Sequence, residues 1–178
     1  MKRLPVASTV IAKGRLSDAE VAGFGMSADA YHMTAPNVDG PKRSMKAALR
    51  NAGLNADQIQ YMNAHGTSTP LGDVNETNAI KLAFGDHAKK MVVSSTKSMT
   101  GHLLGGAGAL EAGITVLAVR DQIAPPTANL DRVDADNLLD LVPHQARPIE
   151  IVHAMTNSFG FGGTNASLIF KRWMSGSR

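Results

Sequence analysis

The chain has 178 residues, a formal net charge of +3 and no cysteine. The length suits one domain with its own core. The missing cysteine excludes a disulfide scaffold, a thiolate metal site and a catalytic thiol on this chain. Aromatic residues make up 4% of the chain, which argues against base-stacking recognition of nucleic acid, and no apolar run approaches the ~20 residues of a membrane span.

The first 18 residues show no clear period, and polar residues interrupt their short apolar patch. A secretory signal is therefore not expected, and a cytoplasmic location is the default. We expect residues 1–18 to be a lead-in, 19–172 to form one domain and 173–178 to be a tail.

The predicted elements follow from apolar periodicity and from turn residues. In chain order they are a strand at 19–24, a helix at 42–51, a strand at 59–65, a helix at 73–84, a strand at 91–96, a helix at 103–120, a short strand at 138–142, and a hairpin of strands at 153–157 and 165–170. Gly23 and Gly25 should end the first strand, Gly53 should stop the first helix, and Asp73 should cap the second. This order predicts a layered α/β fold with a mixed five-stranded sheet.

The third predicted helix is apolar on nearly every side. Its sequence LLGGAGALEAGITVLAV contains one charge, Glu111, and many small residues. A helix of this composition is usually surrounded by protein. We therefore expect a buried central helix with the other helices flanking the sheet.

The segment HGTSTPLGD places His65 at the end of a predicted strand, before Gly66 and three hydroxyl residues. Ligands often bind at strand ends in α/β folds, and a neutral imidazole there can donate a hydrogen bond or move a proton. The alternative from this segment alone is a histidine that merely closes a turn.

The segment SSTKSMTGHLLGGAG places Lys97 five residues before His102, which should open the long helix. A helix dipole disfavours positive charge at that end and favours a neutral imidazole. Candidate partners for Lys97 are Asp73, Glu76 and Glu111, and an ordinary structural salt bridge remains the alternative. The glycines do not form a nucleotide-binding fingerprint.

The segment NSFGFGGTN joins the last two predicted strands with three glycines and two phenylalanines in one turn. Such a turn permits close backbone approach and can direct N–H groups at one point, as in an oxyanion hole. The alternative is a glycine-rich hairpin that only turns the chain. No zinc-helix histidine pair and no calcium loop is present, so no metal site is predicted.

Taken together, these segments resemble a known family. The matching stretches are GFGMSADAYHMTAP, HGTSTPLGD, SSTKSMTGHLLGGAGALE and NSFGFGGTNASLIF. In this order and spacing they are similar to the C-terminal half of the β-ketoacyl-acyl carrier protein synthases, most of all the type II elongating members. The resemblance runs from about Ala19 to Lys171.

The resemblance implies a thiolase-like fold of two similar halves and a condensation of an acyl chain with malonyl-acyl carrier protein that releases carbon dioxide. By this resemblance His65 and His102 would assist malonyl decarboxylation, with neutral imidazoles stabilising the enolate oxygen. Lys97 would orient His102 through a polar network. The carboxylates of that network would be Asp73, Glu76 and Glu111.

The resemblance also implies roles for the loops around these histidines. Thr67 and Thr69 would hydrogen-bond the phosphopantetheine arm, which arrives on the carrier protein, so no resident cofactor is expected. Phe159 would gate the acyl pocket and contribute its N–H to the oxyanion hole. The residues shaping its loop would be Phe161, Gly162 and Gly163.

Two features depart from the family pattern. The acyl-accepting cysteine belongs to the other half of such enzymes, so condensation by this chain alone is not expected, and residues 1–18 do not match. An absent half should leave an apolar face exposed. The expected partners are therefore acyl carrier protein or an acyl thioester, together with a second copy of the chain or a cysteine-bearing N-terminal half.

Three functions remain open from the sequence. The first is a partial condensing enzyme, whose surviving activity would be malonyl-thioester decarboxylation. The second is ester or thioester hydrolysis by a histidine-activated water or hydroxyl. The third is a non-enzymatic module that binds acyl carrier protein through a basic helix face, for which an ordinary solvated face is the favoured alternative. The residues of that face are Lys42, Arg43, Lys46 and Arg50.

Overall fold

The computed structural model of the chain describes residues 18–29, 32, 37–133 and 137–173. The predicted lead-in, apart from its last residue, and the tail beyond 173 lie outside the described residues, as does part of the stretch GFGMSADAYHMTAP. The strands of the described residues are β1 (Ala19–Ala28), β2 (Tyr61–Asn63), β3 (Val92–Ser94), β4 (Ile123–Ala124), β5 (Arg147–Pro148), β6 (His153–Phe159) and β7 (Thr164–Arg172). The α-helices in this part of the chain are α1 (Asp39–Ala52), α2 (Pro70–Phe84), α3 (Lys97–Thr100) and α4 (Ala107–Asp121).

The main sheet has five strands in the order β1-β7-β6-β2-β3. Strand β7 pairs antiparallel with both β1 and β6, whereas β2 pairs parallel with both β6 and β3. The predicted mixed five-stranded sheet and its closing hairpin are confirmed. Strands β4 and β5 form a separate two-stranded ribbon.

Successive strand residues point to opposite faces of this sheet, as the two-residue period of a strand requires. Met62, Met155 and Ile169 pack with helices α1 and α2 in one buried cluster. Their chain neighbours Tyr61, Ala154 and Phe170 lie in a second buried cluster with α4. The fold is therefore layered as predicted, with helices on both faces. None of the described helices is long and apolar enough to span a membrane.

Strand β1 is longer than predicted because its glycines serve packing instead of ending the strand. A Cβ atom added to Gly25 would lie 2.1 Å from the Ser44 carbonyl oxygen and 2.4 Å from the Ala48 nitrogen, both on α1. Gly23 is equally close to α1. These glycines let the helix lie directly on the strand, so the strand continues to Ala28.

The predicted strand at 138–142 is wrong. Within this stretch the described structure has a single bridge, between Asp140 and Val92 of β3. The backbone then turns at Val142, whose φ is 49°, and the next bridge joins Pro143 to Thr127 and not to β3. By contrast, α1 ends at Gly53 with a left-handed φ of 68°, as predicted.

The prediction for the long helix is wrong in two respects. Residues 104–106 form a 3-10 turn and the α-helix begins only at Ala107, so His102 does not open it. The helix is also buried on one side only: Leu110 is 37% exposed and Leu117 is 44% exposed, while Glu111 is buried. The five-stranded sheet covers one face of α4, and no element of the described residues covers the opposite face.

Candidate active site

The three segments singled out in the sequence meet at one edge of the sheet. Strands β6, β2 and β3 run parallel to one another, so their carboxyl ends lie side by side. His65 follows β2, Lys97 follows β3, and Phe159 is the last residue of β6. This edge is where α/β sheets usually bind ligands.

His65 lies at the centre of the cluster. Its ring centroid is 5.5 Å from that of His102, with the two rings nearly perpendicular, and 5.7 Å from that of Phe159. The three side chains come from three separate loops or strand ends. Side chains this close affect the polarity and charge around one another, so the three residues form one site.

Burial lowers the pKa of His65 to about 3, with the positive charges of Lys97 and His102 acting in the same direction. The ring is therefore neutral at pH 7. Its Nδ1 atom is buried and has no hydrogen-bond partner among the described residues. A neutral imidazole in this position can donate one N–H to a bound group.

His102 is exposed and lies between α3 and the 3-10 turn at 104–106. Its Nδ1 atom lies 3.3 Å from the Leu104 backbone N–H, which donates to it. In the neutral ring the proton must then be on Nε2, so Nε2–H is free to face a ligand. A short loop contact, and not the dipole of a long helix, fixes this tautomer.

Lys97 of α3 forms a buried ion pair with Glu111 of α4, and the two side chains are 4% and 2% exposed. Burial raises the pKa of Glu111, and the ammonium of Lys97 opposes that rise. Glu111 Oε2 is buried and has no hydrogen-bond partner in the described part of the chain. Of the three carboxylates considered as partners, Glu111 is the one in contact with Lys97.

The other two carboxylates bond to the histidine loop. Glu76 is buried and accepts the backbone N–H of His65 at 2.9 Å and that of Gly66 at 2.8 Å. Asp73, predicted to cap this helix, instead lies in the first turn of α2 and accepts the Ser68 N–H at 3.2 Å, whereas the observed N-cap is Thr69. The predicted single network is thus two groups, one at Lys97 and one beneath His65.

Gly66 is required where the histidine loop crosses the segment after β3. Its φ is +30°, and an added Cβ would lie 2.7 Å from the Ser95 Cβ. The Ser95 hydroxyl donates to the Gly66 carbonyl at 2.7 Å. This contact locks the loop that carries His65 to the segment that leads to Lys97.

Thr67 and Thr69 lie on the outer part of the same loop, with their hydroxyl oxygens 3.3 Å apart. Thr67 also lines a cavity of about 550 Å³ between this loop and residues 127–133 and 137–141, and Lys97 and His102 line the same cavity. Such a pair of hydroxyls beside an open cavity can hydrogen-bond an elongated polar ligand.

The turn between β6 and β7 is a 3-10 turn over Phe161–Gly163, with positive φ values at Gly162 and Gly163. It separates its two phenylalanines: Phe159 is half-buried beside His65, whereas Phe161 is 78% exposed. The turn thus brings one aromatic ring to the histidine cluster and directs the other to the surface.

Two buried asparagines support the site and were missed in the sequence. On β2, Asn63 donates to the Thr96 hydroxyl at 3.0 Å, next to Lys97. On β6, Asn157 donates to Glu76 at 3.4 Å. Asn63 ends the short strand β2 and Asn157 lies near the end of β6, and a buried amide near a strand end was the available signal. No three His, Asp or Glu side chains of the described residues converge as metal ligands do.

Comparison with known proteins gives this cluster a family context. The chain is 60% identical over 165 residues to the 3-oxoacyl-[acyl-carrier-protein] synthase 2 of Vibrio cholerae, covering 90% of this chain and 40% of the relative. The chain thus spans about two fifths of the length of the curated relatives it matches.

Solved structures agree in fold. A β-ketoacyl synthase from Burkholderia phymatum superposes with a TM-score of 0.80 and 43% identity, over 88% of this chain and 38% of that one. A type II PKS ketosynthase, solved with its acyl-carrier protein, superposes with a TM-score of 0.85 and 36% identity, over 88% and 39% of the two chains. The thiolase-like fold is therefore confirmed.

The model of the β-ketoacyl synthase C-terminal domain matches residues 18–131, which hold His65, Lys97 and His102. The match covers more than half of the chain and both histidine loops. The chain therefore belongs to the β-ketoacyl synthase family, of which it carries the C-terminal domain.

Proposed function

We propose that this chain is the C-terminal part of a 3-oxoacyl-acyl carrier protein synthase, and that it supplies the histidine pair for decarboxylative condensation with malonyl-acyl carrier protein. The observation that carries the proposal is the packing of His65 against His102, at 5.5 Å, and against Phe159, at 5.7 Å. The acyl-accepting cysteine is supplied by the N-terminal part that this chain does not contain.

The two imidazoles act as hydrogen-bond donors. When the bond from the malonyl Cα to its carboxylate breaks, carbon dioxide leaves and the electron pair moves through Cα to the thioester oxygen. Neutral N–H donors aimed at that oxygen stabilise the enolate. The low pKa of His65 keeps that ring neutral, and the Leu104 contact leaves the Nε2–H of His102 to donate.

The ion pair of Lys97 and Glu111 holds the segment that leads to His102. Gly101, directly before the histidine, donates its N–H to the Lys97 carbonyl at 2.9 Å. The position of His102 therefore follows the position of Lys97, which Glu111 fixes to α4. Lys97 in this role orients the histidine and does not itself exchange a proton.

The proposed substrate carrier is acyl carrier protein, whose phosphopantetheine arm would lie along Thr67 and Thr69. The chain needs no cofactor of its own for this reaction, and its expected location is the cytoplasm. Support comes from the related ketosynthase solved with its acyl-carrier protein. The hydrolase and binding-module alternatives gain no support, since the matched relatives are named as synthases.

The basic face of α1 is a weaker candidate for the carrier contact than the sequence indicated. Asp39 pairs with Lys42 at 2.7 Å and with Arg43 at 2.8 Å. One of the four positive charges of that face is thus balanced within the helix, and two of its side chains are held by Asp39. The remaining basic residues, Lys46 and Arg50, form an ordinary solvated helix face.

The uncovered side of the sheet is the proposed contact with the cysteine-bearing part. Phe24 and Met26 on β1 are 54% and 63% exposed. They line an apolar groove of about 210 Å³ that reaches Gly108 at the start of α4. The outer face of α4, with Leu110 and Leu117, is exposed as well. Without that part, a second copy of the chain is the expected substitute.

Reconstitution tests the proposed function. The chain is mixed with the separately produced N-terminal segment of the Vibrio cholerae relative that it does not match, and 3-oxoacyl-acyl carrier protein is measured by mass spectrometry. We expect product from the mixture and none from either polypeptide alone. His65→Ala and His102→Ala should abolish it, whereas His144→Ala, a change at an exposed histidine, should not. Product that persists in both site variants would refute the proposal.

A further inference from the structure

A line of buried polar side chains crosses the core on the α1 and α2 face and ends beneath His65. Its members come from four different elements and are each at most 6% exposed. In order, they are Ser44 of α1, Ser167 of β7, Asn157 of β6 and Glu76 of α2. Burying a polar group costs folding free energy unless the group forms a hydrogen bond. A continuous line of buried, hydrogen-bonded side chains therefore indicates a specific role.

The hydrogen bonds fix how the Asn157 amide is turned. The Ser167 hydroxyl donates to Asn157 Oδ1 at 2.8 Å, and Ser44 lies 3.0 Å from Ser167. The Oδ1 atom therefore faces β7. The Nδ2 amine faces the opposite way, toward Glu76 Oε1 at 3.4 Å and the sulfur atoms of Met45 and Met62.

Glu76 passes this orientation on to the catalytic loop. Its Oε1 atom accepts from both Asn157 and the His65 backbone N–H, and its Oε2 atom accepts from the Gly66 N–H. The carboxylate bonds to backbone here and not to a cation. Any rotation of the Glu76 side chain would break both backbone bonds and displace His65.

Strand β6 reaches His65 by a second route. Phe159, two residues after Asn157, lies on the same side of the strand, and its ring packs on the His65 ring at 5.7 Å. Strand β6 therefore contacts the His65 ring directly through Phe159, and it is linked to the His65 backbone through Asn157 and Glu76.

We propose that Asn157 is a positioning residue for His65, acting through Glu76 and never touching substrate. The inference rests on the proposed function for the role of His65. It assigns to the Asn157 amide the task of holding the Glu76 carboxylate ionised and turned toward the His65 and Gly66 N–H groups.

The electrostatics around Glu76 support this task. Burial raises the pKa of Glu76, while the backbone N–H groups, the Asn157 amide and the charge of Lys97 lower it. Lys97 on α3 is the charged group facing it, and the nearby His65 ring is neutral. The contacts described above from α1, β6 and β7 are Met45, Asn157 and the serines, none of which titrates. Loss of the Asn157 donor therefore favours the protonated carboxyl, which accepts less well.

The test follows the Gly66 amide by ¹H–¹⁵N NMR as pH is varied. An N–H bonded to a carboxylate shifts when that carboxylate is protonated, and the shift should be absent in Glu76→Gln. In Asn157→Leu we expect the midpoint of this titration to rise by about one pH unit, the size of one hydrogen bond to a charged group. Ser167→Ala, a milder change, should move the midpoint in the same direction by less.

Thr156→Val is the matched control, since Thr156 is buried on the same strand and, as the chain neighbour of Asn157, faces the opposite side, where it lines the groove that reaches Gly108 of α4. It should leave the midpoint unchanged. An unchanged midpoint in Asn157→Leu, or an equal rise in Thr156→Val, overturns the proposal. If Asn157→Leu does not fold, Ser167→Ala decides alone. Because the readout is not an activity, a failure here is distinct from a failure of the reconstitution.

Discussion

The two faces of the sheet differ in how far this chain covers them. On the face of α1 and α2, Met62 and Met155 are fully buried. On the face of α4, Phe24 and Met26 are more than half exposed and line an apolar groove. We call the α1 and α2 face, where these methionines are buried, the finished face. We call the other side, with Phe24, Met26 and the exposed side of α4, the open face. The histidine site lies on the edge that both faces share, so its geometry depends on each.

The largest effect is expected at the ion pair that links the open face to the site. Glu111→Leu leaves Lys97 buried without its partner, which should cost about 3–5 kcal/mol in the free energy of unfolding, measured with urea. The double variant Lys97→Met with Glu111→Leu should recover part of that loss.

The exposed pair of Asp39 and Lys42 is the control for this prediction. Lys42→Ala should change the free energy of unfolding by less than about 1 kcal/mol. A Glu111→Leu cost no larger than that of Lys42→Ala would show that the pair does not hold α4 to the site.

Substituting one methionine on each face compares directly how much the two faces contribute to the free energy of unfolding. Met155→Ala on the finished face should cost about 2–5 kcal/mol of unfolding free energy, because it leaves a cavity. Met26→Ala on the open face should cost less than about 1 kcal/mol in the chain alone, since that side chain is mostly exposed. Equal costs would mean that the open face is already covered in solution.

Association should occur through the open face. We expect light scattering to show self-association at micromolar concentration, and Leu110→Glu on α4 to weaken it about 100-fold, which corresponds to about 2.7 kcal/mol. Leu82→Glu is the matched control, because Leu82 is also exposed but lies on α2. A chain that stays monomeric, or a loss of association in Leu82→Glu alone, would contradict this use of the face.

The smallest effect expected is the pH dependence contributed by His65. Its pKa is lowered to about 3 in the fold, so between pH 6.5 and 3 the unfolded chain binds a proton that the folded chain does not. Stability should therefore fall as pH falls through this range, by at most about 1.4 kcal/mol per pH unit.

The measurement is the difference between two variants. From pH 7 to pH 5, the wild-type chain should lose about 1–2 kcal/mol more of its unfolding free energy than His65→Gln does. His144→Gln, at an exposed histidine, should behave as the wild type. Parallel pH profiles for wild type and His65→Gln would mean that the ring is not kept neutral by burial.

That His65, Lys97 and Phe159 belong to one site was implied by the family resemblance. The residue patterns themselves predicted most of the elements in their order and placed His65 at the end of a strand. These are local properties: apolar periodicity marks each element, and turn residues mark where each ends. Glu111 was also identified as a partner for Lys97, although Asp73 and Glu76 were offered on equal terms. Nothing in the sequence could choose among the three, because the choice depends on the packing of α3 against α4.

The tertiary structure decided what depends on contacts between distant segments. The glycines of β1 were predicted to end the strand, whereas in the fold they allow α1 to pack directly on it. Helix α4 was predicted to be buried on every side, because composition alone does not show how many faces of a helix are covered. The role of Asn157 could not be predicted for the same reason, since its partner Glu76 is 81 residues away in the chain. The sequence by itself determined which groups could do the chemistry, and only the fold decided how each is held.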